Sequence, residues 1–205
     1  MFAKTYIRQP RTEAPVALSP RQVAAAYNFP TDTASGKGYV GGIIELGGGY
    51  QLAQVQKYFT QNGLPVPTIV AVPIAGGQNK EDGANGADGE VQLDIIVAGA
   101  IATSATFRVY FCPNTDAGYL EGINQAIADG CHGITTSWGA PENNWDGAMM
   151  DQIEAAIKGA RAKGIPVFVA AGDTGSQDSS GAGNQVDFPA SSPSAIGCGG
   201  TRLTL

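Results

Sequence analysis

Apolar runs at 40–46, 68–72, 107–112, 133–138 and 165–171 alternate with helical patterns at 51–62, 90–102, 116–129 and 146–163. The short runs read as strands buried on both faces, and the longer segments with helical periodicity read as helices. A strand reaches a parallel neighbour only through a long crossover, and each helix supplies one. The expected fold is therefore α/β, a mostly parallel sheet with helices on both faces. Ligands in such folds collect beyond the carboxyl ends of the strands. That rule selects Glu45, Trp138 and Asp173, each at or just past a strand end, and brings the first turn of the 90–102 helix to the same rim.

That helix carries Glu90 and Asp94, four residues apart and so on one face. Two like charges at this spacing destabilise a helix unless a partner or a shared proton relieves the repulsion, so one carboxyl pKa is expected to rise. A solvated face whose carboxylates happen to lie together would look the same in isolation. Ahead of it, Ser19, Pro20 and Gln22 form a capping box that opens a helix running on toward Pro30. The first 18 residues contain Pro and lack periodicity, and are expected to form an arm over a domain at 19–205. Gly36, Gly38 and Gly41 match a dinucleotide-binding spacing, but the match precedes a strand instead of following one, which excludes that use.

Eighteen acidic against twelve basic residues, with only 15% charged overall, argue against a nucleic-acid partner. So low a charge density also suits an acid-tolerant protein. Cys112, Cys131 and Cys198 are odd in number and widely spaced, indicating neither a disulfide framework nor a zinc site, and are expected to be small core residues. His132, the single histidine, is read as structural. No signal-peptide pattern opens the chain and no stretch has the length of a membrane span, so no membrane partner is expected. The compartment stays open: intracellular, or extracellular if this is part of a mature secreted protein.

Six segments then carry a family resemblance: 43–50 (IIELGGGY), 88–95 (DGEVQLDI), 113–118 (PNTDAG), 137–139 (SWG), 170–176 (AAGDTGS) and 186–190 (VDFPA). Together, and in this order, they resemble the sedolisin (serine-carboxyl) peptidases. The resemblance runs from about Ser19 onward and implies a subtilisin-like fold that stops before the C-terminal part of the domain. It implies an acid-active endopeptidase in which Glu90 is general base and acid, Asp94 its hydrogen-bonded neighbour, and Asp173 the oxyanion-hole carboxyl. A carboxylate base suits acid, where a histidine would be protonated. Glu45 and Trp138 would extend the network. Asn114, Asp116, Ser137, Gly139 and Asp187 would line the substrate cleft, with Asp187 a candidate for favouring basic side chains.

One expected part does not occur. The family's nucleophile lies in a Gly-Thr-Ser motif, and no Gly-Thr-Ser occurs in the 205 residues; Ser104 and Ser176 are poor substitutes. The calcium ligands that the resemblance implies would lie in the same later part, so no cofactor or metal is expected of this chain. Three hypotheses follow. The chain is the N-terminal part of a peptidase whose Ser comes from a complementary segment. Alternatively it is a non-catalytic descendant, alone or as a homo-oligomer, that binds peptides or a partner protein through the old cleft. The third is a nucleotide or phosphate binder using Gly47–Gly49, which lacks the acidic residue a ribose contact would need.

Overall fold

The computed structural model of the chain describes residues 4–5, 17–30, 35–178 and 183–201. Its centre is a six-stranded, wholly parallel sheet built from β2 (Val40–Glu45), β3 (Thr68–Pro73), β4 (Thr106–Phe111), β5 (Gly133–Thr136), β7 (Val167–Ala170) and β9 (Ile196–Cys198). Their spatial order is β3-β4-β2-β5-β7-β9. A second, three-stranded antiparallel sheet pairs β1 (Lys4–Thr5), β6 (Trp138–Pro141) and β8 (Asp187–Phe188), with β6 in the middle. Most of the expected 1–18 arm lies outside the described residues.

Alternation along β2 shows how the layers form. Ile43 packs into one core with Val55 and Phe59 of α2 (Leu52–Gln61) and with Val91 and Ile95 of α3 (Asp88–Ile101). Ile44, facing the other way, joins a second core with Tyr119 and Ile123 of α4 (Asp116–Ala128) and Ile153 and Ile157 of α5 (Gly147–Ala162). The period of two in a strand sends successive side chains to opposite faces, so α2 and α3 share one face and α4 and α5 the other. Glu45, next in the alternation, points to the α3 side.

The helix starts follow their caps. Ser19 caps α1 (Pro20–Ala26) through the reciprocal bonds of a capping box, although this helix ends at Ala26, short of Pro30. Thr115 and Asp146 accept from the backbone N–H three residues on, at α4 and α5.

Two expectations need correction. The run 133–138 is not one strand: β5 leaves the parallel sheet after Thr136, and Trp138 begins β6 in the antiparallel sheet. Cys112 and Cys131 are buried, but Cys198 sits on the edge strand β9 and is exposed, because no described element covers that strand. His132 is structural in the sense expected, its Nδ1 accepting from the Val40 N–H at 3.0 Å while its ring packs on Tyr39. Among the described residues no helix is long and apolar enough to cross a membrane.

Candidate active site

The carboxyl ends of β2, β5 and β7 and the first two turns of α3 converge on one rim. Because α3 runs back along the sheet, its N-terminal end faces the strands' carboxyl ends, and Glu90 and Asp94 come down beside Glu45. Glu45 is wholly buried, and Glu90 nearly so at 2% exposed. Ser137, at the point where the chain leaves β5, holds Asp94: its Oγ lies 2.9 Å from each carboxylate oxygen. Trp138, the next residue, donates its indole N–H to Glu45 Oε2 at 2.9 Å. The crossing from one sheet to the other thus delivers two consecutive donors to two different carboxylates.

Below them, Tyr119 locks the crossing. Its hydroxyl donates to the Trp138 carbonyl at 3.1 Å and lies 3.3 Å from Thr136 Oγ1. Sequence reasoning did not single out this tyrosine; its place on the buried face of α4, opposite a strand end, was the available signal.

Three acidic side chains packed together cannot all ionise cheaply. Burial, then the charge of Asp94, raises Glu90 to about 8, and Asp173 adds to the rise while a Ser137 hydrogen bond opposes it. Burial raises Asp94 to about 6 against hydrogen bonds from Ser137 and Glu90 that favour its charge. Glu45 is pushed well above the carboxylate range by burial and by Asp94, with the Trp138 bond working the other way. Glu45 Oε1 and Glu90 Oε2 are buried and find no hydrogen-bond partner. The cluster therefore stores protons at neutral pH and presents an unused acceptor on Glu90.

The other residues singled out from sequence fall around this cluster. Asp173 follows β7 in an exposed loop, close enough for its charge to raise Glu90. Asn114 and Asp116 lie half-buried where β4 passes into α4. Asp187, which pairs with Pro141 across β6 and β8, lays its carboxylate over Gly139: a Cβ at 139 would come 2.1 Å from Asp187 Oδ1, so glycine is required for this carboxylate to sit there, buried. Asp88, which opens α3, was read only as part of a motif, and its role is taken up below. Among the described residues no group of three or more His, Cys, Asp or Glu side chains could hold a metal ion.

Trp138→Phe tests the frame of the cluster. It removes the donor to Glu45 and leaves both oxygens of a buried carboxyl unbonded, a cost of about 1–3 kcal/mol. Because burial keeps the proton on Glu45 in the folded state, the destabilisation is expected at acid and at neutral pH alike. Denaturant midpoints for both chains at two pH values measure this; a parent-like midpoint at either would contradict it.

The model of the subtilase family matches residues 67–203. Kumamolisin of Bacillus sp. (strain MN-32) is 46% identical over 198 residues, which is 94% of this chain and 36% of that protein. Sedolisin of Pseudomonas sp. (strain 101) is 27% identical over 181 residues, 79% of this chain and 30% of that protein. The solved structure of Pseudomonas sedolisin, a serine-carboxyl proteinase complexed with two molecules of pseudo-iodotyrostatin, superposes with a TM-score of 0.76 at 24% identity, over 91% of this chain and 54% of that one. The fold is thus shared, and the chain spans about a third of the length of these curated relatives.

Proposed function

Since the chain belongs to the subtilase family, we propose that the Glu90–Asp94 pair and Asp173 are the acid–base and oxyanion parts of an acid-active serine-carboxyl endopeptidase. The observation that carries this is the shared rim: Glu45, Glu90 and Asp94 are held together by Trp138 and Ser137, with Asp173 near enough to bias Glu90. In this mechanism a serine Oγ attacks the scissile carbonyl while its proton passes to the Glu90 carboxylate. The Asp173 carboxyl, in its neutral form, donates to the oxyanion, and Glu90 returns its proton to the leaving amine. Water then repeats the sequence on the acyl-enzyme. Asp94 and Glu45 keep Glu90 oriented, and Asn114, Asp116, Ser137, Gly139 and Asp187 flank the path of the substrate.

Gly-Thr-Ser does not occur in these residues, so the nucleophile comes from a further segment. The raised Glu90 pKa fits that account. A carboxyl at about 8 would be a poor base in acid, and a hydroxyl donating to its unpaired Oε2 favours the charged form and brings the pKa down. The calcium that the resemblance implies would be held by later residues, and no step runs through it.

A chain supplied with a Ser-bearing C-terminal segment of a sedolisin-type peptidase is expected to cleave peptides between about pH 3 and 7, with Asp173→Asn costing roughly 10²–10³-fold. The 205-residue chain alone is expected not to cleave. Cleavage by that chain alone, abolished by both Glu90→Ala and Asp173→Asn, would overturn the account of the nucleophile.

A second reading, peptide binding without catalysis, is favoured by one observation. Lys4–Thr5 pairs antiparallel with Trp138–Gly139, so this side of β6 is compatible with an extended strand, here the chain's own. Peptide affinity in a folded chain that no Ser-bearing segment activates would select it.

A further inference from the structure

Asp88 accepts three backbone N–H groups near the rim, and the proposed mechanism has no use for it. Its Oδ1 accepts from the N–H of Gly49 at 2.9 Å and of Asp82 at 3.0 Å, and its Oδ2 from Gly83 at 2.8 Å. These donors come from two places: the turn that ends β2, and the loop that leads into α3. Further bonds stitch the two together. Asn79 exchanges hydrogen bonds with both backbone groups of Tyr50, Gln51 donates to Glu81, and Asp82 Oδ1 accepts from Ala87.

The fit leaves no slack. At Gly48, in the left-handed region with φ +68°, a Cβ would lie 2.7 Å from the Ala87 carbonyl carbon, and at Gly49 one would lie 2.6 Å from the Glu81 nitrogen. The glycines after Glu45 thus let the end of β2 press directly on the chain that opens α3. Glu90 lies two residues beyond Asp88 on that same turn.

We infer that Asp88 is a positioning residue for Glu90: its carboxylate clamps the first turn of α3 onto the Gly48–Gly49 turn and thereby holds Glu90 in its buried place beside Glu45 and Asp94. The inference rests on the carboxylate-site reading above. The chemistry calls for an acid and not an amide. Three N–H groups converge on one side chain, and only a carboxylate accepts on both oxygens. An asparagine keeping its oxygen at the Oδ1 position would turn its NH₂ toward the Gly83 N–H. The position in the first turn also suits a negative charge. Burial raises the Asp88 pKa, but the backbone bonds from Asp82, Gly83 and Gly49, with a side-chain bond from Asp82, outweigh it and leave the group below its usual 3.8. The clamp accordingly keeps its charge to lower pH than an ordinary aspartate does.

The test is the titration of Glu90, followed by NMR of its side-chain carboxyl carbon, in the parent chain, in Asp88→Asn and in Asp146→Ala. The last removes the Met149 cap of α5, on the opposite face of the sheet from α3, and controls for loss of stability alone. In Asp88→Asn the first turn lifts, Glu90 hydrates, and its midpoint falls by about one unit or more. In Asp146→Ala it does not move. A Glu90 midpoint that is raised in the parent and unchanged in Asp88→Asn overturns the inference alone; a midpoint already ordinary in the parent overturns the site reading beneath it. Should Asp88→Asn not fold, the parent decides. The amide protons of Gly49, Asp82 and Gly83 must then shift together at one midpoint below 3.8, and separate or absent shifts overturn the clamp.

Discussion

Taking the chain from about pH 4 to about pH 8 lowers its unfolding free energy by roughly 3–5 kcal/mol, a large part of the 5–15 kcal/mol of a typical domain. The cause is that Glu90 and Asp94 hold protons in the folded state, at about 8 and about 6, that they release at ordinary carboxylate values when unfolded. Between those limits the native chain binds more protons than the unfolded one, so stability falls as pH rises. The stabilisation is complete below about pH 4, where both states are protonated, and is lost as pH passes through the folded values. Glu90 by itself accounts for about 4 kcal/mol at 1.36 kcal/mol per unit, and its coupling to Asp94 keeps the two contributions from simply adding. Asp88 acts in the opposite sense: its depressed pKa contributes stability that is lost as pH falls through the folded value, below 3.8. The chain should be most stable in mild acid. Urea midpoints at about pH 4, 6 and 8, at constant m, measure this, and a midpoint that rises toward neutrality would refute it.

Glu90→Gln is expected to move activity and stability in opposite directions. In a complex completed by a Ser-bearing segment it removes the group that accepts and returns the proton, a loss of about 10²–10⁴-fold in kcat with KM little changed. The same substitution puts a neutral amide in a buried site, so the loss of stability between about pH 4 and 8 flattens. Proteins often hold such groups at a cost in stability. Steady-state kinetics and the pH series in urea, on one preparation, give both halves. Retained kcat would remove Glu90 from the mechanism, whatever the stability showed.

Much of this arrangement is legible in the residues. The strand at 40–46, the Gly turn after it and the four long helices follow from periodicity and caps, and the rule about strand ends points to Glu45, Trp138 and Asp173. Periodicity says nothing about which sheet a strand joins. The run 133–138 looked continuous because every residue in it suits a strand; its break at Ser137 depends on contacts with Tyr119, Glu45 and Asp94, all distant in sequence. Strands β8 and β9 were passed over because Asp187–Phe188 and Ile196–Cys198 are too short to carry a pattern. Asp88 escaped notice for a related reason. An acidic residue in a first helical turn is ordinary, and only the folded backbone of Gly49 and Gly83 reveals what it binds.

The placement of α2 and α3 on one face has a topological consequence. From β2 to β3 the chain moves outward along the sheet, and from β3 to β4 it turns back, yet both connecting helices cover the same side. Two crossovers that run in opposite directions over one face have opposite hands. The α4 and α5 connections run in the direction of the β3–β4 step but over the other face, and so share the hand of the α2 connection. Right-handed crossovers make up about 98% of such units, which identifies the α3 connection as the left-handed one. A right-handed path would have laid α3 on the α4 side, with the full thickness of the sheet between Glu90 and Glu45. The proton-storing cluster exists because one loop of this chain winds against the rule.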